Sequence, residues 1–314
     1  MMIDSHNHSG YIDKDAAAVV AEMDQIGIDV CWLLTWILPP AEDAPHYHPG
    51  TSPLYLRPDG THAAIPLAEV MSGCNRFPHR FIPGYCPNPT ESDPAALFEA
   101  AYKIHGVRVC GEWSYRTLLD DPRSLELFRC AGRLKCPVVL HMDVPYLTDA
   151  SGRAVYQKFW YGGTVANLER ALQACPETVF IGHGPGFWRD ISGDAAQRPE
   201  VYPSGPLVPG GKLLPMFERY PNLWADLSAG SGLTAMRRHP DQGKAFITRY
   251  SDRLLYGRDA HGNALNQFLD GLRLPAAVLR KVRSENALRL VPLPDVVKAG
   301  LGKGGKGARA RRRG

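Results

Sequence analysis

Two histidines stand two apart in the opening stretch Ile3-Asp4-Ser5-His6-Asn7-His8. On an extended backbone, residues i and i+2 share a face. His6 and His8 therefore point the same way, and two converging imidazoles are half of a metal site. Further along, ionisable residues follow short apolar runs: Glu112 after 106–110, His141 after 137–140, His183 after 178–181 and Asp259 after 254–257. Imidazole nitrogen and carboxylate oxygen together suit Zn²⁺, Mn²⁺ or Fe²⁺. Each residue has a plainer reading on its own. His141 fits a hydrogen-bonded loop histidine, Glu112 a salt-bridge partner and Asp259 a helix N-cap. Their repetition at the ends of apolar runs is what points to a metal site.

Those runs alternate with helix-like segments along the chain. Strands are expected at 3–8, 29–37, 81–85, 106–110, 137–140, 178–181, 223–227 and 254–257, and helices at 13–26, 62–77, 94–104, 121–134, 164–174, 213–219 and 241–250. Residues 40–60 and 185–210 are rich in Pro and Gly and read as long loops. Eight strands alternating with helices predict the α/β class: a single (β/α)8 TIM barrel with long loops at its C-terminal mouth. In that fold all the strand ends named above converge on one mouth, where active sites lie.

Bulk properties agree with one large domain. Of 314 residues, 44% are apolar, enough for a large core and too many for a disordered chain. No apolar run is long enough to span a membrane, and no basic segment followed by an apolar one marks a leader. Seven cysteines at irregular spacing, without a C-x-x-C pair, read as reduced thiols of a cytoplasmic protein. The net charge of +4 is set by one end. Seven of the 36 Lys and Arg fall from Lys298 onward with no acid, leaving 29 against 32 Asp and Glu in residues 1–297. The expected organisation is a barrel over 1–297 and a basic disordered tail over 298–314, whose deletion should leave the barrel unchanged.

The motifs in combination resemble the amidohydrolase superfamily, particularly its amidohydrolase-related (amidohydrolase 2) branch of metal-dependent barrel hydrolases. The matching stretches run from 3–8 through 106–112, 137–141, 180–184, 222–227 and 254–259 to 286–290. The resemblance implies that His6, His8 and Asp259 hold one metal, that His141 and His183 face a second, and that Glu112 bridges the two. It implies Zn²⁺ first, with Mn²⁺ or Fe²⁺ as alternatives, and two ions over one. In single-metal relatives His141 joins the first ion and the position of His183 serves substrate or proton transfer.

Asp259 and His183 are then the expected catalytic pair, and hydrolysis of a carboxylic amide, ester or lactone the expected reaction. Alternatives are a one-metal decarboxylase of an aromatic or unsaturated acid and a TatD-like deoxyribonuclease. The acidic body speaks against nucleic acid, so a small-molecule substrate is expected, with no membrane and with a homodimer allowed. The mouth loops bring Trp36, Trp113, Trp160, Tyr161 and Trp188. Trp36 and Trp113, near strand ends, are candidates to stack on a flat substrate. Arg258 beside Asp259 departs from the usual Thr of relatives and is a candidate anion anchor.

Overall fold

Eight short, almost wholly buried runs form the staves of a closed parallel barrel: β1 (Ile3–Asn7), β2 (Val30–Leu33), β3 (Phe81–Pro83), β4 (Cys110–Trp113), β5 (Val138–His141), β6 (Phe180–His183), β7 (Leu223–Asp226) and β8 (Leu254–Leu255). The structure is a computed structural model that describes residues 1–12, 14–43, 45–148, 151, 153–156, 161–198, 200–259 and 261–304. Neighbours pair in parallel from β1 to β3 and from β4 to β8. A bridge between Gly84 and Val109 joins the two arcs, and the Ser5 amide donates to the Tyr256 carbonyl at 2.9 Å to close the ring.

Alternation along the strands sorts the side chains into two cores. Ile3, Val30, Ile82, Val109, Val139, Ile181, Trp224 and Leu255, one from each strand, fill the barrel interior. A larger cluster packs the outer faces against the helices. Those helices begin where the sequence supplies caps. Asp15, Asp93 and Asp121 accept backbone N–H bonds of the first turn, and Thr164 with Asn167 forms a capping box.

Two expectations are corrected, and one helix is added. The apolar run 29–37 is not one strand. The chain turns out of the barrel after Leu33, where Thr35 Oγ1 donates to the Gly111 carbonyl and accepts from the Cys86 amide, and Trp36–Ile37 pairs antiparallel with Ala64–Ile65 above the mouth. The glycine-rich stretch after β7 is a helix, Ala229–Arg237, because Gly232 leans on the Leu227 backbone where no Cβ fits. Part of the tail is also ordered. Asp295–Gly304 is a helix whose buried Val297 and partly buried Leu301 pack with Ala287 and Val291 against the floor of the interior core. Deleting from 298 would therefore open that floor. Residues 305–314 lie outside the described residues. All seven cysteines are buried and unpaired in disulfides, and no described helix is long and apolar enough to cross a membrane.

Candidate metal centre at the barrel mouth

The end of β1 delivers His6 and His8 to the mouth, both buried. His8 Nδ1 lies 3.0 Å from the Leu34 carbonyl, which can only accept, so Nδ1 carries a proton and Nε2 is the nitrogen left facing the site. His6 Nδ1 lies 2.8 Å from Asp226 Oδ2, and His183 Nδ1 lies 2.9 Å from Asp226 Oδ1. All three Nε2 atoms face one spot. Asp259 Oδ1 lies 3.4 Å from His6 Nε2 and 3.3 Å from His8 Nε2, and its Oδ2 lies 3.2 Å from His183 Nε2. Glu112 faces the same rings at 3.5–3.9 Å.

His6 Nε2 is buried with no hydrogen-bond partner among the described residues. A lone pair set against two carboxylates is repelled unless a positive charge lies between them. Two overlapping triads, His6–His8–Asp259 and His6–Glu112–His183, have the spacing to hold a cation. The residues thus fit a divalent metal ion. An imidazole Nε2 has a single lone pair, so His6 serves one of these two triads at a time.

His141 stands apart from both triads. Its Nδ1 pairs with Glu112 Oε1 at 2.7 Å and its Nε2 faces Asp143 at 3.9 Å. It sits at the wall of a chamber of about 210 Å³ whose floor includes His8, Glu112 and Asp259 and whose walls include Tyr11, Trp36, Tyr161 and Tyr202. A larger cavity of about 860 Å³ lies on the barrel flank near Leu214 and Phe246, away from these residues, and is not the site.

Two sequence candidates fall elsewhere. Trp113 is fully buried against Tyr115 and Phe128 and does not reach the chamber. Arg258 points to the other side of the strand from Asp259, where its Nε lies 2.7 Å from Asp4 Oδ2 and its Nη1 2.6 Å from Glu22 Oε2. Its charge is used by those two carboxylates, so it is no anion anchor. Trp188 is buried against Phe187 and Phe246, and Trp160 lies outside the described residues. The sequence reading missed Asp226, Asp143 and Tyr202. Asp226 ends the seventh apolar run as Asp259 follows the eighth, so the same criterion would have found it; the two loop residues carry no such signal.

Charge in the centre is tightly paired. Burial alone would raise the Glu112 and Asp259 carboxyls, but His141 beside Glu112, and His6 and His183 beside Asp259, hold both well below the usual carboxylate range. Burial would also discharge the rings, yet Asp259 and Glu112 push His8 up to about 10, and Asp226 with Asp259 raises His183. A cation entering at neutral pH must displace such a proton. Apparent metal affinity is therefore expected to rise with pH through the neutral range and to fall as pH drops. In calorimetry at about pH 7, the heat of Zn²⁺ binding should vary with the ionisation enthalpy of the buffer; a buffer-independent heat would contradict this pairing.

The family model described as Amidohydrolase matches residues 3–293. The chain belongs to the amidohydrolase family. Its barrel is similar to those of solved amidohydrolase-fold structures. A 5-carboxyvanillate decarboxylase from Sphingomonas paucimobilis aligns with TM-score 0.59 at 15% identity, over 93% of this chain and 99% of that one. A protein from Pseudomonas putida, assigned as a 2-pyrone-4,6-dicarboxylic acid hydrolase, aligns with TM-score 0.56 at 14% identity, over 92% and 96%. A dihydroxybenzoic acid decarboxylase from Polaromonas, solved with bound manganese and 2-nitroresorcinol, aligns with TM-score 0.56 at 16% identity, over 92% and 96%. No curated protein matches the chain. The family contains metal-dependent enzymes, and this chain is a metal-dependent enzyme of that kind.

Proposed function

We propose that this amidohydrolase adds water to the carbonyl of a small carboxylic amide, ester or lactone, using one divalent ion held by His6, His8, His183 and Asp259, with Glu112 beside it. The observation that carries the reading is Asp259, whose two oxygens reach three imidazole Nε2 atoms while the side chain still borders the chamber. A divalent ion bound there polarises a carbonyl and acidifies water. Asp259 is placed to accept the proton that water gives up, because a carboxylate at the edge of the site is both ligand and base. Asp259, which borders the chamber, is then placed to hand that proton on to the leaving group.

A decarboxylase is the second reading. It draws on the four aromatic walls, Tyr11, Trp36, Tyr161 and Tyr202, around a chamber the size of one flat ring. Assays on paired aromatic lactone, ester and acid substrates distinguish the two: acid release without CO₂ supports hydrolysis, and CO₂ release overturns it. Imidazole and carboxylate donors suit both Zn²⁺ and Mn²⁺, and manganese is bound in a neighbour of the same fold, so both ions should be loaded in turn. Elemental analysis is expected to give one ion per chain. Two per chain would restore the bridged pair with His141 and His183 on the second ion, and none would end the metal-centre reading.

A further inference from the structure

His6 from β1 and His183 from β6 are held by one carboxylate from β7. Asp226 is wholly buried, with Oδ2 2.8 Å from His6 Nδ1 and Oδ1 2.9 Å from His183 Nδ1. Oδ1 also accepts from Ser228 Oγ at 2.6 Å and from the Ser228 amide at 3.2 Å. We propose that Asp226 is a positioning residue that fixes both rings as Nδ1–H tautomers and couples His6 and His183 into one donor unit for the cation. This rests on the mouth being a metal centre.

An ionised carboxylate only accepts hydrogen bonds. Each ring must therefore give it Nδ1–H, which leaves each Nε2 facing the site, its lone pair available to a cation that takes the place of any proton there. Those Nε2 atoms are the ones 3.4 and 3.2 Å from the Asp259 oxygens. The two rings also lie close, tilted by 50° with centroids 4.3 Å apart, so a turn of one meets the other. Second partners of this kind set ring orientation and tautomer at metal sites, and their loss costs about 10–100-fold in metal affinity.

Asparagine at this position cannot serve both rings, because its oxygen accepts and its NH₂ donates. Three donors crowd the Oδ1 position: His183 Nδ1, Ser228 Oγ and the Ser228 amide. The amide oxygen should settle there, which leaves NH₂ facing His6 Nδ1. His6 must then accept at Nδ1 and carry its proton on Nε2, where the lone pair for the cation had been. Side-chain volume hardly changes, so the barrel should stand.

The test uses the full chain loaded with Zn²⁺, with ¹⁵N-labelled histidine, and measures Zn²⁺ affinity by chelator competition. The native protein should show slowly exchanging Nδ1–H signals from both His6 and His183. Asp226→Asn should lose the His6 signal, keep the His183 signal and bind Zn²⁺ about 10–100-fold more weakly. Ser228→Ala removes a hydroxyl 2.9 Å from His183 Nδ1 but leaves both ring bonds to Asp226, and should weaken Zn²⁺ binding less than Asp226→Asn does. The proposal is overturned if the native protein loaded with Zn²⁺ lacks either signal, if Asp226→Asn binds as the native chain does, or if Ser228→Ala weakens binding as much as Asp226→Asn. If Asp226→Asn fails to fold, the two native signals decide the matter. A native chain that takes up no Zn²⁺ overturns the metal-centre reading itself, which is a separate outcome.

Discussion

Asp259→Asn is expected to lower turnover by at least ~10²-fold, the usual contribution of a general base, while metal content falls only in part. The amide keeps the shape and one coordinating oxygen but cannot take a proton. The backbone should tolerate the change well, because Asp259 sits at φ +51° in the left-handed region, where asparagine is at least as well accommodated as aspartate. The bond from its amide to the His6 carbonyl, 2.7 Å, is also unaffected. His6→Ala should behave differently. That side chain is fully buried and serves only to hold the ion and Asp226, so metal and activity should fall together. Turnover and metal per chain, measured on the same preparations, separate the two cases. Near-native turnover in Asp259→Asn with metal bound would remove Asp259 from the chemistry.

Arg258→Met is expected to destabilise the fold by about 3–5 kcal/mol, the cost of stranding one partner of a buried ion pair. Asp4 is fully buried and accepts from Arg258 through both Nε and the backbone amide, at 2.7 and 2.9 Å. Asp4 also receives Asn7 Nδ2 at 2.9 Å, so it anchors the strand that carries His6 and His8 to the loop that carries Asp259. A fall in Tm of the order of 10 °C follows. Adding Asp4→Asn to Arg258→Met removes the stranded charge and should recover part of the loss. If the single variant melts as the native protein does, the pair is not what clamps the two strand ends.

Most of the donor set was legible because it consists of residue types that seldom end a buried strand without a reason. His6, His8, Glu112, His183 and Asp259 all meet at the mouth. His141 reaches the chamber, but its pairing with Glu112 depends on ring rotation that residue order does not encode. Arg258 and Trp113 were misassigned for one physical reason. Adjacent residues at a strand end point to opposite sides, and which side faces inward is set by how the barrel closes. Trp36 did reach the chamber wall, carried there by a ribbon that looked like the continuation of β2. The helix at Ala229–Arg237 was hidden by its own glycines, whose low helix propensity is overridden by packing.

The barrel is sealed by bonds between its first and last strands, and this has a consequence for how the enzyme is made. His6 and His8 are made before every other residue of the donor set. His6 waits for Asp226, 220 residues later, and Asp4 for Arg258, 254 residues later. The opening strand must stay unpaired on its β8 side until β8 has been made. Contacts of such long sequence separation form slowly, because loop closure precedes any gain from them. Metal uptake should therefore report the last event of folding, and a stalled or shortened nascent chain should hold its two leading histidines without capturing an ion.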